Sequence, residues 1–149
     1  MSRTFVPDDF AVPMSVTSEA FHLEPLGPEH NVRDYEAWMS SIGHIRSTPG
    51  FEDSDWPAPM DLEENLADLI GHAEDFGRRD GFTYSILDGD DVIGCLYLYP
   101  SEEQMNDVAV RSWVRESRAD LDTIVWKCVS DWLIREWPFE NPLYARREE

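Results

Sequence analysis

The sequence predicts a mixed α/β (α+β) domain, a mostly antiparallel sheet of about five strands with helices on both faces. Three observations carry this. Two long segments, Asp61–Arg79 and Asp120–Trp137, repeat apolar residues at helical spacing. Between them lie three strand-like runs, separated by the polar turns Asp88-Gly89-Asp90-Asp91 and Pro100–Asn106. The middle run, Val92–Tyr99, is apolar in both alternating sets, as a strand covered on each face must be. At 149 residues, 42% of them hydrophobic, the chain suffices for one core, and no linker or internal repeat divides residues 1–149.

In chain order, residues 1–20 alternate short apolar pieces with Pro7 and Pro13 and read as an extended N-terminal arm. They have no apolar leader-like core, so no secretory signal is expected. Phe21–Leu26 alternates with period two and reads as a strand. Asn31 is expected to cap a short helix that buries Val32, Tyr35, Met39 and Ile42. Residues 43–60 have no period and hold three prolines with Phe51 and Trp56. They read as a long loop that either walls a pocket or connects elements while Trp56 fills the core. Asp61 and Glu64 form a capping box for a helix with the stripe Leu62, Leu66, Leu69, Ile70, Ala73 and Phe76, stopped at Asp80-Gly81. Strands Phe82–Leu87, Val92–Tyr99 and Asp107–Val114 follow. The last helix is expected to bury Leu121, Ile124, Val125, Cys128 and Trp132, with a second apolar set of Trp126, Leu133 and Trp137. A short strand, Pro142–Arg146, completes the order.

Charge excludes two classes of partner. Thirty-one acids face twelve bases, a formal net charge of −19. Without a basic stripe, nucleic-acid binding by counterion release is not expected, and an anionic membrane would repel this surface. No apolar run is long enough to span a bilayer. The two cysteines, Cys95 and Cys128, read as free thiols of a reducing compartment, so a cytoplasmic location is expected.

Motif chemistry is sparse. His22, His30, His44 and His72 show no metal-ligand spacing, the cysteines form no CxxC pair, and no metal is expected. His72 in the long helix reads as structural, and the many acid pairs are what chance gives at this composition.

The text from Phe82 to Trp137 carries a resemblance. Phe82–Leu98 reads as a hairpin with Val92-Ile93-Gly94 after the turn, Asp107–Val114 as a central strand, and Arg118 then precedes the helix with Asp131-Trp132-Leu133. This pattern resembles the GNAT superfamily of N-acetyltransferases over about four-fifths of the chain. The resemblance implies that acetyl-CoA, or another acyl-CoA, lies in a split between the central strand and the next. Its arm would lie along Trp113, Val114 and Arg115, with its pyrophosphate near Arg118 at a helix N-terminus. The corresponding loop, Arg115–Asp122, lacks the family's two glycines and carries Asp120 and Asp122. Asp107 is the candidate base for the attacking amine.

The function this implies is acyl transfer to a small-molecule amine. The alternative is a non-catalytic module of the same fold that binds a small ligand or a protein, or a sensor whose 43–60 loop closes on a cationic amine. Relatives continue with a further helix and two strands, so Pro142–Arg146 is expected at a sheet edge. The strip Trp126–Leu133–Trp137 is then either covered by the arm or an interface, and monomer and homodimer both stand.

Overall fold

The computed structural model describes residues 5–147. One sheet holds six strands in chain order: β1 (Val16–Thr17), β2 (His22–Pro25), β3 (Phe82–Asp88), β4 (Asp91–Tyr99), β5 (Val108–Val114) and β6 (Pro142–Tyr144). Neighbours are antiparallel except β5 and β6, which are parallel. The strand beyond the expected five is β1. Its two residues lie inside the stretch read as arm, and two residues are too few to show a period.

The sheet separates two cores. Helix α4 (Asp122–Glu136) and the arm cover one face, where Phe82, Tyr84, Leu96, Leu98 and Trp132 are fully buried. Helices α1 (Asn31–Met39), α2 (Ile42–Arg46) and α3 (Leu62–Arg78) cover the other, around Trp38, Leu69, Cys95 and Trp113. From Cys95 to Leu98 alternate residues of β4 go to different cores, Leu96 and Leu98 to the first and Cys95 and Tyr97 to the second; the register shift against Ile86 and Leu87 breaks the alternation, so Ile93 joins the first core and Val92 the second.

The arm is tied down. Phe10 packs on Trp137 with ring centroids 5.2 Å apart, and Phe5 meets Phe139 at the same distance. The Tyr84 hydroxyl donates to the Pro13 carbonyl at 2.6 Å. Arg79, a left-handed helix cap at φ 64°, donates to the carbonyls of Pro7 and Phe10 at 2.7 and 2.9 Å. The arm therefore covers Trp137 of the strip that could have been an interface; Leu133 is also buried, and Trp126 is half-buried.

Three helix faces differ from expectation. In α1 the cap position belongs to His30, Val32 is 57% exposed, and Asn31, Asp34, Ala37 and Trp38 face inward. In α3 the capping box is present, but Leu62 and Ile70 are exposed while Asn65 and Leu69 are buried, with His72 and Phe76 on the same side. In α4 Ile124 is exposed and Val129 is buried. The reason is shared by α1 and α3. Their inward polar side chains bond to one another, which offsets much of the cost of burying them, and the apolar count misjudged the face. The segment 43–60 begins inside α2, which shortens the irregular stretch to 47–61.

Candidate functional site

A cavity of about 660 Å³ opens on the α1/α3 side of the sheet. Asp34, Asn65, Asp68, Leu69 and His72 come from the helices, and Phe51 and Trp56 from the 47–61 segment. Tyr97 and Tyr99 come from β4, Ala109 and Arg111 from β5, and Leu143 from β6. The loop therefore does both things its sequence allowed. Trp56 packs 5.6 Å from Trp38 and 6.1 Å from Trp113, and it lines the cavity. Phe51 and Tyr97 lie 6.0 and 6.5 Å from Trp56, which makes an aromatic wall. Asp68, Glu102 and Glu103 stand at the lining, where Arg111 is the one arginine or lysine. Aromatic faces beside carboxylates suit an organic cation.

The floor is a polar network. Asn65 accepts from Trp38 Nε1 at 3.0 Å and donates to Asn31 Oδ1 at 2.8 Å and Asp34 Oδ2 at 3.2 Å. Burial pushes the Asp34 carboxyl up to about 6 from its ordinary 3.8, against the opposing pull of the Asn65 bond and of His30. A group raised on folding lends stability below its unfolded pKa, and that stability is lost as pH rises through the folded value. Two pH units correspond to about 3 kcal/mol. Replacing Asp34 with Asn keeps an acceptor for Asn65 and removes the charge. D34N is expected to stabilise the fold by about 2 kcal/mol at pH 7.5 and by little below pH 4, read from urea denaturation at both.

On the cavity wall, the Tyr99 hydroxyl donates to Asp75 Oδ2 at 3.0 Å, so its oxygen is left to accept from His72 Nδ1 at 2.8 Å. Thr83 Oγ1 lies 3.1 Å from the same nitrogen. The arrangement assigns the proton to Nδ1 and leaves the Nε2 lone pair without a partner among the described residues. Burial lowers the His72 pKa from 6.5, opposed by Asp68 and Asp75, so the ring is neutral at pH 7. Burial also holds the Tyr99 hydroxyl protonated, its pKa raised to about 12.

The residues singled out in the sequence lie elsewhere. Asp107 Oδ2 and Oδ1 accept from the backbone N–H of Glu140 and Asn141 at 2.7 and 3.0 Å, which locks the approach to β6, and Asp107 is absent from the cavity lining. Trp113 is fully buried and donates to the Tyr97 hydroxyl at 3.0 Å, and Val114 pairs with Gly94. Arg115 reaches the Val92 carbonyl and Ser40, and Arg118 pairs with Asp88 at 2.9 Å. Trp113, Val114 and Arg115 are brought together on β5 and its exit, while Arg118 turns away. Sequence reading singles out neither Asp34 nor Asn65, and it reads His72 as structural. The available signal was a polar residue at each end of Leu69 on one helical face.

Beyond Tyr144 the chain leaves β5, whose last residues have no β6 partner. The backbone of Ser112 faces this opening. Among the described residues no group of three His, Cys, Asp or Glu side chains is placed to hold a metal ion, and no helix is long and apolar enough to cross a membrane. Both cysteines are free thiols, Cys95 buried and Cys128 half-buried.

No family model matches the sequence, and no curated protein matches it. Solved structures do. The Salmonella typhimurium acetyltransferase that modifies the N-terminal serine of ribosomal protein L7/L12 superposes with a TM-score of 0.63 at 13% identity, over 80% of this chain and 66% of that one. RimJ of Mycobacterium smegmatis, solved with a CoA disulfide, gives 0.66 at 14% identity over 87% and 63%. The fold is the GNAT fold. The Vibrio fischeri ribosomal-protein-S5-alanine acetyltransferase gives 0.60 at 14% identity, over 83% and 68%. The chain thus spans about two thirds of the length of these GNAT-fold proteins.

Proposed function

We propose that the chain transfers an acyl group from an acyl-CoA to a small amine held in the cavity. The observation that carries this is His72: a neutral imidazole on the wall of an acidic, aromatic-lined cavity, its proton fixed on Nδ1 and its Nε2 lone pair unpartnered. An amine arrives as a cation, drawn by Asp34, Asp68 and the rim glutamates, and its body packs on Phe51, Trp56 and Tyr97. To attack a carbonyl it must lose a proton, and His72 Nε2 is placed to take it. Asp75 and Tyr99 keep His72 in that tautomer. An acyl-CoA, when bound, supplies the activated acyl group. The edge of β5 at Ser112, beyond its pairing with β6, would take its amide-bearing arm in place of Arg147. The Arg115–Leu121 segment offers no glycine cradle for a diphosphate, and Asp122 begins α4 there. The fold shared with N-acetyltransferases supports the reading.

The test is thiol release from acetyl-CoA in the presence of a panel of small amines. H72Q is expected to lower kcat about 10²-fold with KM little changed. The wild-type rate is expected to rise with pH along a limb below 6.5 set by His72. Absence of thiol release with every amine overturns the proposal. A second reading, an amine-binding module without transfer, is favoured by one observation: Arg147 already occupies the edge of β5. Amine binding by calorimetry without thiol release is its signature.

A further inference from the structure

The opening beside β5 is filled by the chain itself. Ladder pairing between β5 and β6 ends at Val110 and Tyr144, while β5 runs on to Val114. Ser112 is fully buried, and its carbonyl on that side has no neighbouring strand to pair with. Arg147 supplies the missing donor: Nη2 donates to the Ser112 carbonyl at 2.8 Å. The same guanidinium donates through Nη1 to the Ala145 carbonyl at 2.8 Å, and through Nε to Asp122 Oδ2 at 2.8 Å. Its carbon stands 5.7 Å from the Tyr144 ring, and its side chain is 2% exposed. The Tyr144 hydroxyl meets Ser112 Oγ beneath it.

We propose that Arg147 is a displaceable strap that closes the edge of β5, and that an extended amide-bearing chain, the arm of an acyl-CoA, must replace it to pair with Ser112. The inference rests on the acyl-transfer reading for the identity of that chain. Two features make the strap releasable. Residues 145–147 make no ladder bonds, so the guanidinium is the main anchor of this segment. The Ser112 carbonyl can also accept from an amide N–H, so the edge group stays satisfied when the guanidinium leaves. Asp122, at the start of α4, holds the strap from the other side, and its charge opposes any phosphate that approaches while it is unpaired.

The test is calorimetric binding of acetyl-CoA to the wild type, to the double variant D122N/R147A, which leaves no orphaned buried charge, and to R147Q, which keeps the side chain's bulk and one donor should the double variant not fold. The double variant is expected to bind at least tenfold tighter than wild type, and R147Q, which leaves the Asp122 charge unpaired, tighter by a smaller factor. In the wild-type complex, amide hydrogen exchange in residues 142–147 is expected to speed up. Equal affinity in all three proteins overturns the strap, as does unchanged exchange in the complex or no binding by any form at millimolar acetyl-CoA. If the variants bind more tightly yet release no thiol with any amine, the strap stands and the transfer reading fails. If the wild type binds and turns over, and loss of Arg147 changes neither, the reading stands and the strap fails.

Discussion

Replacing Gly94 with Ala is expected to cost about 3 kcal/mol or more, among the largest effects of any single-methyl change in this protein. Gly94 sits in mid-β4, between Ile86 on β3 and Val114 on β5. A β-carbon there would fall well inside contact distance of the Trp113 carbonyl oxygen and 3.1 Å from Val114 Cα. Those atoms are backbone of an inner strand and cannot swing aside as a side-chain tip can. The register of β3 on β4 already shifts beside this point, between Ile86 and Leu87. Relief would need β5 to move away, which would also displace Trp113 and the wall of the cavity. Thermal and urea unfolding of G94A check the cost. A loss below about 1 kcal/mol would mean the sheet flexes here more readily than close-packed interiors do.

Replacing Asn65 with Ala is expected to cost about 4 kcal/mol at pH 7.5. Asn65 is 3% exposed and serves three buried partners. Without it the Trp38 indole N–H loses its acceptor, Asn31 loses a donor, and Asp34 loses the bond that helps it stay ionised. Each orphaned group costs about 1–3 kcal/mol, and the removed side chain leaves a void besides. The sign with pH follows from Asp34. Once that carboxyl is protonated it no longer needs a donor, so the loss in N65A shrinks below pH 4. Urea denaturation at pH 4 and pH 7.5 reads both numbers. A loss that does not depend on pH would separate Asn65 from Asp34.

The same residues explain how far the sequence could be read. The β3–β5 meander was legible because the alternation of Phe82–Tyr99 and the turn at Gly89 are local signals, and Asp61 announced its helix through a side chain three residues from its partner. The site was not legible. Asn65, Asp34 and His72 acquire their meaning from partners on other elements, and the shared helical face of Asn65 and His72 beside Leu69 does not name those partners. A hydrophobic count turns α3 outward because it scores Asn65 and His72 as solvent residues. Asp107 drew attention as a lone acid before a strand, and its carboxylate holds the backbone of Glu140 and Asn141. Arg147 carries no local signal of burial, and it is buried in the structure through partners on β5 and α4.

The parallel pairing of β6 also has a kinetic side. β3, β4 and β5 join through short turns, so their contacts close small loops and can form early. β6 reaches β5 only after the whole of α4 has been laid down, through three ladder positions from Val108↔Pro142 to Val110↔Tyr144. Such a strand forms late and opens first, as a small unit of local unfolding within an otherwise intact domain. Leu143 of the cavity wall, Tyr144 and Arg147 all belong to this unit or border it. The part of the fold that borders the cavity and the end of β5 is thus the part whose protection against exchange should be lowest, and the sheet can release it without melting.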